Sequence, residues 1–217
     1  MNITDAKKAV EDFFNTHGSC AKTATSKAKV GKVYELYCIA KTLEELKATY
    51  GVTVQFVGPA VQFKASPGKI DRTKSYFIIE RNGHRFELHT DIEVRTLGST
   101  SASTHTDLSA YHEIDIVVVP PSATDRPDHY DVLLGVECKA HANFGKGIVK
   151  QVLGIRRELS LLTDENPACL AHAFGFTSPM VPSYPPSEYW LAYIDPKGSN
   201  YSQSPGVFGI RFEHWCP

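Results

Sequence analysis

Apolar side chains recur at three- and four-residue steps between Gly31 and Tyr50. Val33, Leu36, Ala40, Leu43 and Leu46 share one face, and Gly51 supplies a stop. The spacing predicts a helix there. A shorter helix is predicted over Ala6–Asn15, opened by Thr4-Asp5 and ended by His17-Gly18, and the lysine-rich stretch Lys22–Lys32 reads as a loop. Beyond Gly51 the period falls to two. Val52–Val57, Val61–Phe63, Tyr76–Glu80 and Arg85–Val94 read as strands, and Asn82-Gly83 between the last two is a hairpin signal. Tyr111–Val119 and Tyr130–Lys139 are apolar on both faces, as strands are in the middle of a covered sheet. Helical spacing returns over Gly147–Leu162 through Ile148, Val152, Ile155, Leu159 and Leu162. Further strands are expected at Cys169–Phe176, Tyr189–Ile194 and Val207–Phe212, with a Ser/Thr-rich loop over Gly98–His105 and a Pro-rich one over Ser178–Ser187. The order predicts one α/β (α+β) domain over residues 1–217, with a mixed central sheet flanked by helices.

Composition narrows the class. The 217 residues are 42% hydrophobic and 22% charged, which suits a globular chain and not a disordered one. No run approaches the roughly 18 apolar residues of a membrane helix, and the charged N-terminus lacks a signal-peptide core. Cys20, Cys38, Cys138, Cys169 and Cys216 are scattered and never form C-x-x-C, so the expectation is a protein of the reducing cytoplasm. The formal net charge of -1 means that a nucleic-acid partner must be held by a local basic surface.

The two most apolar strands carry the chemistry. One reads Ile114-Asp115-Ile116-Val117-Val118-Val119, the other Val132-Leu133-Leu134-Gly135-Val136-Glu137-Cys138-Lys139. A carboxylate in a buried strand is costly unless paired or metal-bound. Glu137 and Lys139, two residues apart, share a face of their strand. Asp115, Glu137 and Lys139 are therefore expected to converge at one edge of the sheet. Two carboxylates, the Cys138 carbonyl and water make a hard oxygen site suited to Mg²⁺ or Mn²⁺. An adjacent ammonium would orient the attacking water at a phosphodiester, or help deprotonate it.

The pattern Asp115…Glu137-Cys138-Lys139, followed by a helix, resembles the PD-(D/E)xK nuclease superfamily, with Ile114 in place of that name's proline. The resemblance spans roughly residues 31–176, with 177–217 expected to pack on that core. It implies a restriction endonuclease-like core of helix, three-strand meander, helix and strand, and metal-dependent hydrolysis of DNA by an endonuclease of restriction or defence against foreign DNA. It makes Asp115 and Glu137 metal ligands and Lys139 the catalytic lysine. Glu35, on the first core helix, becomes a further metal or water contact, and Gln151, on the second, a group facing the metal site or the substrate backbone. Lys146, Lys150 and Arg157 form one stripe of that helix with Arg156 on its flank, a surface for phosphates. Cutting both strands of a duplex calls for two active sites, hence a homodimer or higher oligomer, and an activating partner subunit is compatible with the family.

The alternatives are a catalytically inactive nucleic-acid-binding or protein-interaction module of the same fold, or a nuclease directed at RNA. In the purely structural reading Glu137 and Lys139 are an ion pair and the basic helix face is merely solvated. His105, His112, His129 and His141 match no zinc spacing, and Ser109, Ser160 and Cys138 lack the surroundings of an acyl-transfer nucleophile. Tyr184, Tyr189 and Trp190 are candidates for stacking on bases or for a packed lid.

Overall fold

The computed structural model describes residues 2–18, 28–61, 66–101, 107–177 and 179–217. Helices α1 (Ile3–Thr16) and α2 (Val30–Tyr50) come first. As the sequence pattern requires, α2 ends at Gly51, which takes the left-handed conformation (φ +63°) and donates its N–H to the Lys47 carbonyl. Then follow β1 (Thr53–Val57), β2 (Tyr76–Arg81) and β3 (His84–Arg95). Asn82 and Gly83, both with positive φ, form the two-residue β2–β3 turn. After the short helix α3 (Leu97–Ser101) come β4 (Tyr111–Val119), β5 (Leu134–Lys139) and helix α4 (Lys146–Leu159).

Seven strands form the main sheet in the order β1-β2-β3-β4-β5-β8-β9, where β8 is Glu188–Tyr193 and β9 is Ile210–His214. β1 to β5 pair antiparallel, while β5, β8 and β9 are parallel, so the sheet is mixed and helices cover it as expected. One face packs on α1, α2 and the short helix α5 (Cys169–Ala173), in a first core that includes Phe14, Leu43, Ile79, Ile116, Val136 and Phe174. The other face packs on α4 through Val152, Ile155 and Leu159, in a second core with Ile92, Ile114, Val117 and Leu191. The segment after 177 does more than pack on the core: it extends the sheet beyond β5 with β8 and the edge strand β9.

Several boundaries differ from the sequence pattern. The run Cys169–Phe176 reads as a strand but forms α5, because its apolar residues Leu170, Ala171 and Phe174 follow a helical spacing that packs them into the first core. Helix α4 stops at Leu159, and Leu161 and Leu162 begin a separate two-stranded ribbon, β6 (Leu161–Pro167) with β7 (Met180–Tyr184). β6 carries five exposed residues in succession and shows no alternation, which hides it from periodicity. Within Val207–Phe212 the strand begins only at Ile210, after the one-turn helix α6 (Gln203–Gly206). Val61 lies outside any strand, and residues 62 and 63 of that expected strand, like most of the Lys22–Lys32 stretch, fall outside the described residues.

Candidate active site

The site begins where two strands part. β4 pairs with β5 through Val118↔Leu134, Val117↔Gly135 and Ile116↔Val136, and there the ladder ends. Asp115 and Glu137 are the next residues on each strand. In place of a backbone carbonyl, the Asp115 Oδ2 accepts the N–H of Cys138 at 2.7 Å. The Cys138 side chain packs against the first core, as alternation demands, leaving Glu137 and Lys139 on the opposite face. Gly135 is on that face too, where a Cβ would stand 2.9 Å from the Tyr189 ring.

A second distortion, on β3, faces the fork across β4. Thr90 pairs with Ile116 and Ile92 with Ile114, so Asp91 stands opposite Asp115, with φ at +53°. Phe86 and Leu88 of β3 face the first core, but Ile92 and Val94 face the second. On β4, Ile116 and Val118 face the first and Ile114 the second. Both alternations change sides at the two aspartates, which is where a strand can present a carboxylate at the sheet's split. One oxygen each of Asp91, Glu113 and Asp115 lies within 4.8 Å of the others.

Asp115, Glu137, Lys139, Lys150 and Gln151 line one cleft of about 680 Å³, together with His112, Glu113 and Glu158. Glu137 is 5% exposed. Its Oε1 accepts from the Lys139 ammonium at 2.6 Å, and its Oε2 is buried with no hydrogen-bond partner among the described residues. Burial, then the Asp115 charge, pushes the Glu137 carboxyl up to about 7 against the pull of Lys139. Burial raises Asp115 as well, opposed by the Cys138 amide and Lys139. Partial desolvation, then Asp115 and Asp91, raise Glu113. For Lys139 burial alone would lower the pKa, but Glu137 and Asp115 outweigh it, so the ammonium is retained.

No family model matches this chain, and no curated protein or solved structure matches it. The chemistry therefore has to be read from the side chains themselves. Asp91, Glu113 and Asp115 form an acidic group able to hold a metal ion. These donors fit a hard divalent cation because such an ion would relieve their mutual repulsion, and Glu137, outside that group but lining the same cleft, adds a buried carboxylate oxygen with no partner among the described residues.

The remaining expected residues divide. Glu35 does not line the cleft. It borders a smaller pocket with Asp91, and Lys32 pairs with both of them at 2.6 Å. Burial, then the neighbouring Asp115 and Asp91 against Lys32, brings Glu35 up to about 7. Lys146 is exposed but is not among the cleft-lining residues, and Arg157 lines a different groove on the far flank of α4. Arg156 is a correction. It is 3% exposed and donates to the Phe208 carbonyl, the Ser187 carbonyl and the Ser187 hydroxyl, so it is a buried strut and not a phosphate contact. Tyr189 and Trp190 are buried in β8, which withdraws them from base stacking, while Tyr184 is exposed. His129 is buried against Thr100, His141 is exposed, and His105 lies outside the described residues. Asp91, Glu113 and Lys32 are additions to the site. Glu113 had a legible signal, two residues before Asp115 on the same strand.

The two carboxyls held near 7 make a pH prediction. Each has an unfolded value near the ordinary 4.5, so ionisation costs more in the folded state. Metal-free stability is therefore expected to fall as pH rises from about 4.5 through 7 and then level off. Urea titrations at pH 5 and pH 8 without metal check it, and a flat profile would refute the assigned burial cost. Saturating Mn²⁺ should remove most of the loss at pH 8.

Proposed function

We propose that this protein is a metal-dependent endonuclease acting on DNA, built on a restriction endonuclease-like core. In this reading the core is α2, the meander β3-β4-β5, then α4 and β8. The supporting observation is the fork itself: Asp115 and Glu137 leave the ladder side by side, a lysine pairs with one of them, and a buried carboxylate oxygen lacks a partner.

Asp115 and Glu137, with the carbonyl of Cys138, would hold Mg²⁺ or Mn²⁺, and Asp91 and Glu113 would add negative charge beside them. A divalent ion bound there neutralises charge on a phosphodiester and acidifies water. Lys139 keeps its proton at neutral pH, so it orients water and stabilises developing negative charge; it does not serve as the base. Glu137 fixes the lysine through its other oxygen. Lys150 and Gln151, exposed on the α4 wall of the cleft, reach the phosphate backbone. Glu35 supports the site from α2 through Lys32 and Asp91. Cytoplasmic restriction or defence is the setting that fits such an activity. No helix among the described residues is long and apolar enough to cross a membrane.

The test is incubation of the full chain with supercoiled plasmid or with RNA, in Mg²⁺ or Mn²⁺, with EDTA controls. Nicked and linear plasmid, lost with EDTA, is the expected result. DNA binding without cleavage would favour the inactive module, and cleavage of RNA alone would redirect the substrate assignment.

A further inference from the structure

The β6–β7 ribbon leaves a large apolar surface. Among the described residues nine large hydrophobic side chains are exposed, and six of them, Tyr130, Leu161, Leu162, Met180, Tyr184 and Phe208, gather on or beside this ribbon. Leu161 pairs with Tyr184, whose ring lies 6.1 Å from that of Tyr130. Leu161, Leu162 and Phe208 line a groove of about 310 Å³ with Leu153 and Pro182. At roughly half exposure each, the five other than Met180, which lies at the ribbon's far end, present on the order of 500 Å² of mostly apolar surface, within the range of the largest patch of an ordinary monomer and more than half of one side of a standard interface.

Charged side chains of both signs stand beside it. Arg157 is exposed on one wall of the groove. Asp164 and Glu165 are exposed where the β6–β7 register shifts, between Leu162 and Asn166. Among the described residues no ion pair joins any of the three to a partner. A surface holding an apolar centre, a cation and two carboxylates can satisfy all of them against its own copy across a two-fold axis, the cation of each copy meeting the acids of the other.

We infer that this face is the homodimer interface and that its occupant is a second copy of this chain. The placement leaves the active-site cleft open. Gln151, Gly154, Ile155 and Glu158 of α4 face the cleft, whereas Leu153, Arg156 and Arg157 of the same helix face the groove. Dimerisation here sets two clefts beside the interface, each one helix away from it. Pairing through this face requires nothing of the chemistry in the cleft.

Sedimentation of the full chain is expected to give twice the 24.0 kDa monomer mass. Leu162→Asp and Phe208→Asp should each weaken the dimer by about 30- to 100-fold, with unchanged circular dichroism. Arg157→Glu alone should weaken it about 10-fold, and combining it with Asp164→Lys and Glu165→Lys should restore the wild-type dissociation constant. That restoration requires the charges to meet across copies, so it separates an interface from a folding defect. A wild-type monomer at about 100 µM, or a dimer indifferent to all these changes, overturns the inference.

Discussion

Under the proposed nuclease function, Glu137→Gln is expected to reduce metal-dependent DNA cleavage by at least about 1,000-fold, and in any case to stabilise the metal-free protein at pH 8 by on the order of 1 kcal/mol. The two effects share one cause. Glu137 is almost fully buried, with a carboxyl pushed up to about 7 and one oxygen lacking any partner among the described residues. At pH 8 the folded chain must keep that carboxylate ionised in a site poorly suited to it, a cost absent from the unfolded chain. The amide is isosteric and neutral, and its oxygen still accepts from Lys139, so the cost of burying charge disappears and the packing survives, while the NH2 in place of the unpartnered Oε2 keeps a smaller desolvation cost. The gain is smaller than the full shift implies, because the ammonium loses an anionic partner. It corresponds to a rise in melting temperature of about 3 °C for a chain of this size. At pH 4.5 or below, where the native carboxyl is already protonated, wild type and variant should melt together. Lys139→Met should match the loss of cleavage but not the stabilisation, since it leaves the carboxylate buried and unpaired. A Glu137→Gln protein that cleaves normally would remove the fork from the chemistry. One that is less stable at pH 8 would show that Lys139 more than compensates the burial.

Much of this was legible in the chain because burial forces residue choice. Ile114 to Val119 and Leu134 to Val136 are apolar on both faces since both faces of the sheet are covered, and so Asp115 and Glu137 stand out against them. Gly51 and Asn82-Gly83 were equally plain, since each sits where the backbone turns left-handed. The parts that escaped depend on contacts between distant segments. Arg156 and Arg157 are adjacent and chemically identical in sequence. Only the return of Ser187 and Phe208 to α4 buries the first and leaves the second exposed. Periodicity finds the helix but not which flank the late strands will cover. Asp91 escaped for a different reason. It lies in an alternating strand, His89-Thr90-Asp91-Ile92, and nothing local announces that the alternation breaks there or that Asp115 stands opposite.

Asp91→Asn isolates that hidden contribution, and it is expected to weaken Mn²⁺ binding by roughly 100-fold in calorimetry while moving the melting temperature little. The substitution leaves the backbone undisturbed. Asp91 sits at φ +53°, a region that asparagine adopts at least as readily as aspartate, so the kink that turns β3 is kept. What changes is charge. The acidic group loses one carboxylate of three, and Lys32 loses one of its two anionic partners, retaining Glu35 at 2.6 Å. Asp91→Ala removes the same charge but places a side chain with no local hydrogen-bonding capacity in the left-handed region, so it should bind as weakly as the asparagine variant and also melt lower. Lys32→Met tests the opposite sign. In the absence of metal this ammonium is the cation nearest Asp91 and Glu35, and a divalent ion drawn to the acids must compete with its charge. Removing it should tighten Mn²⁺ binding several-fold and destabilise the metal-free protein at pH 8, where the acids then repel one another unshielded. Unchanged Mn²⁺ affinity in Asp91→Asn would reduce Asp91 to an anchor for Lys32 alone and leave the ion to the two acids at the fork.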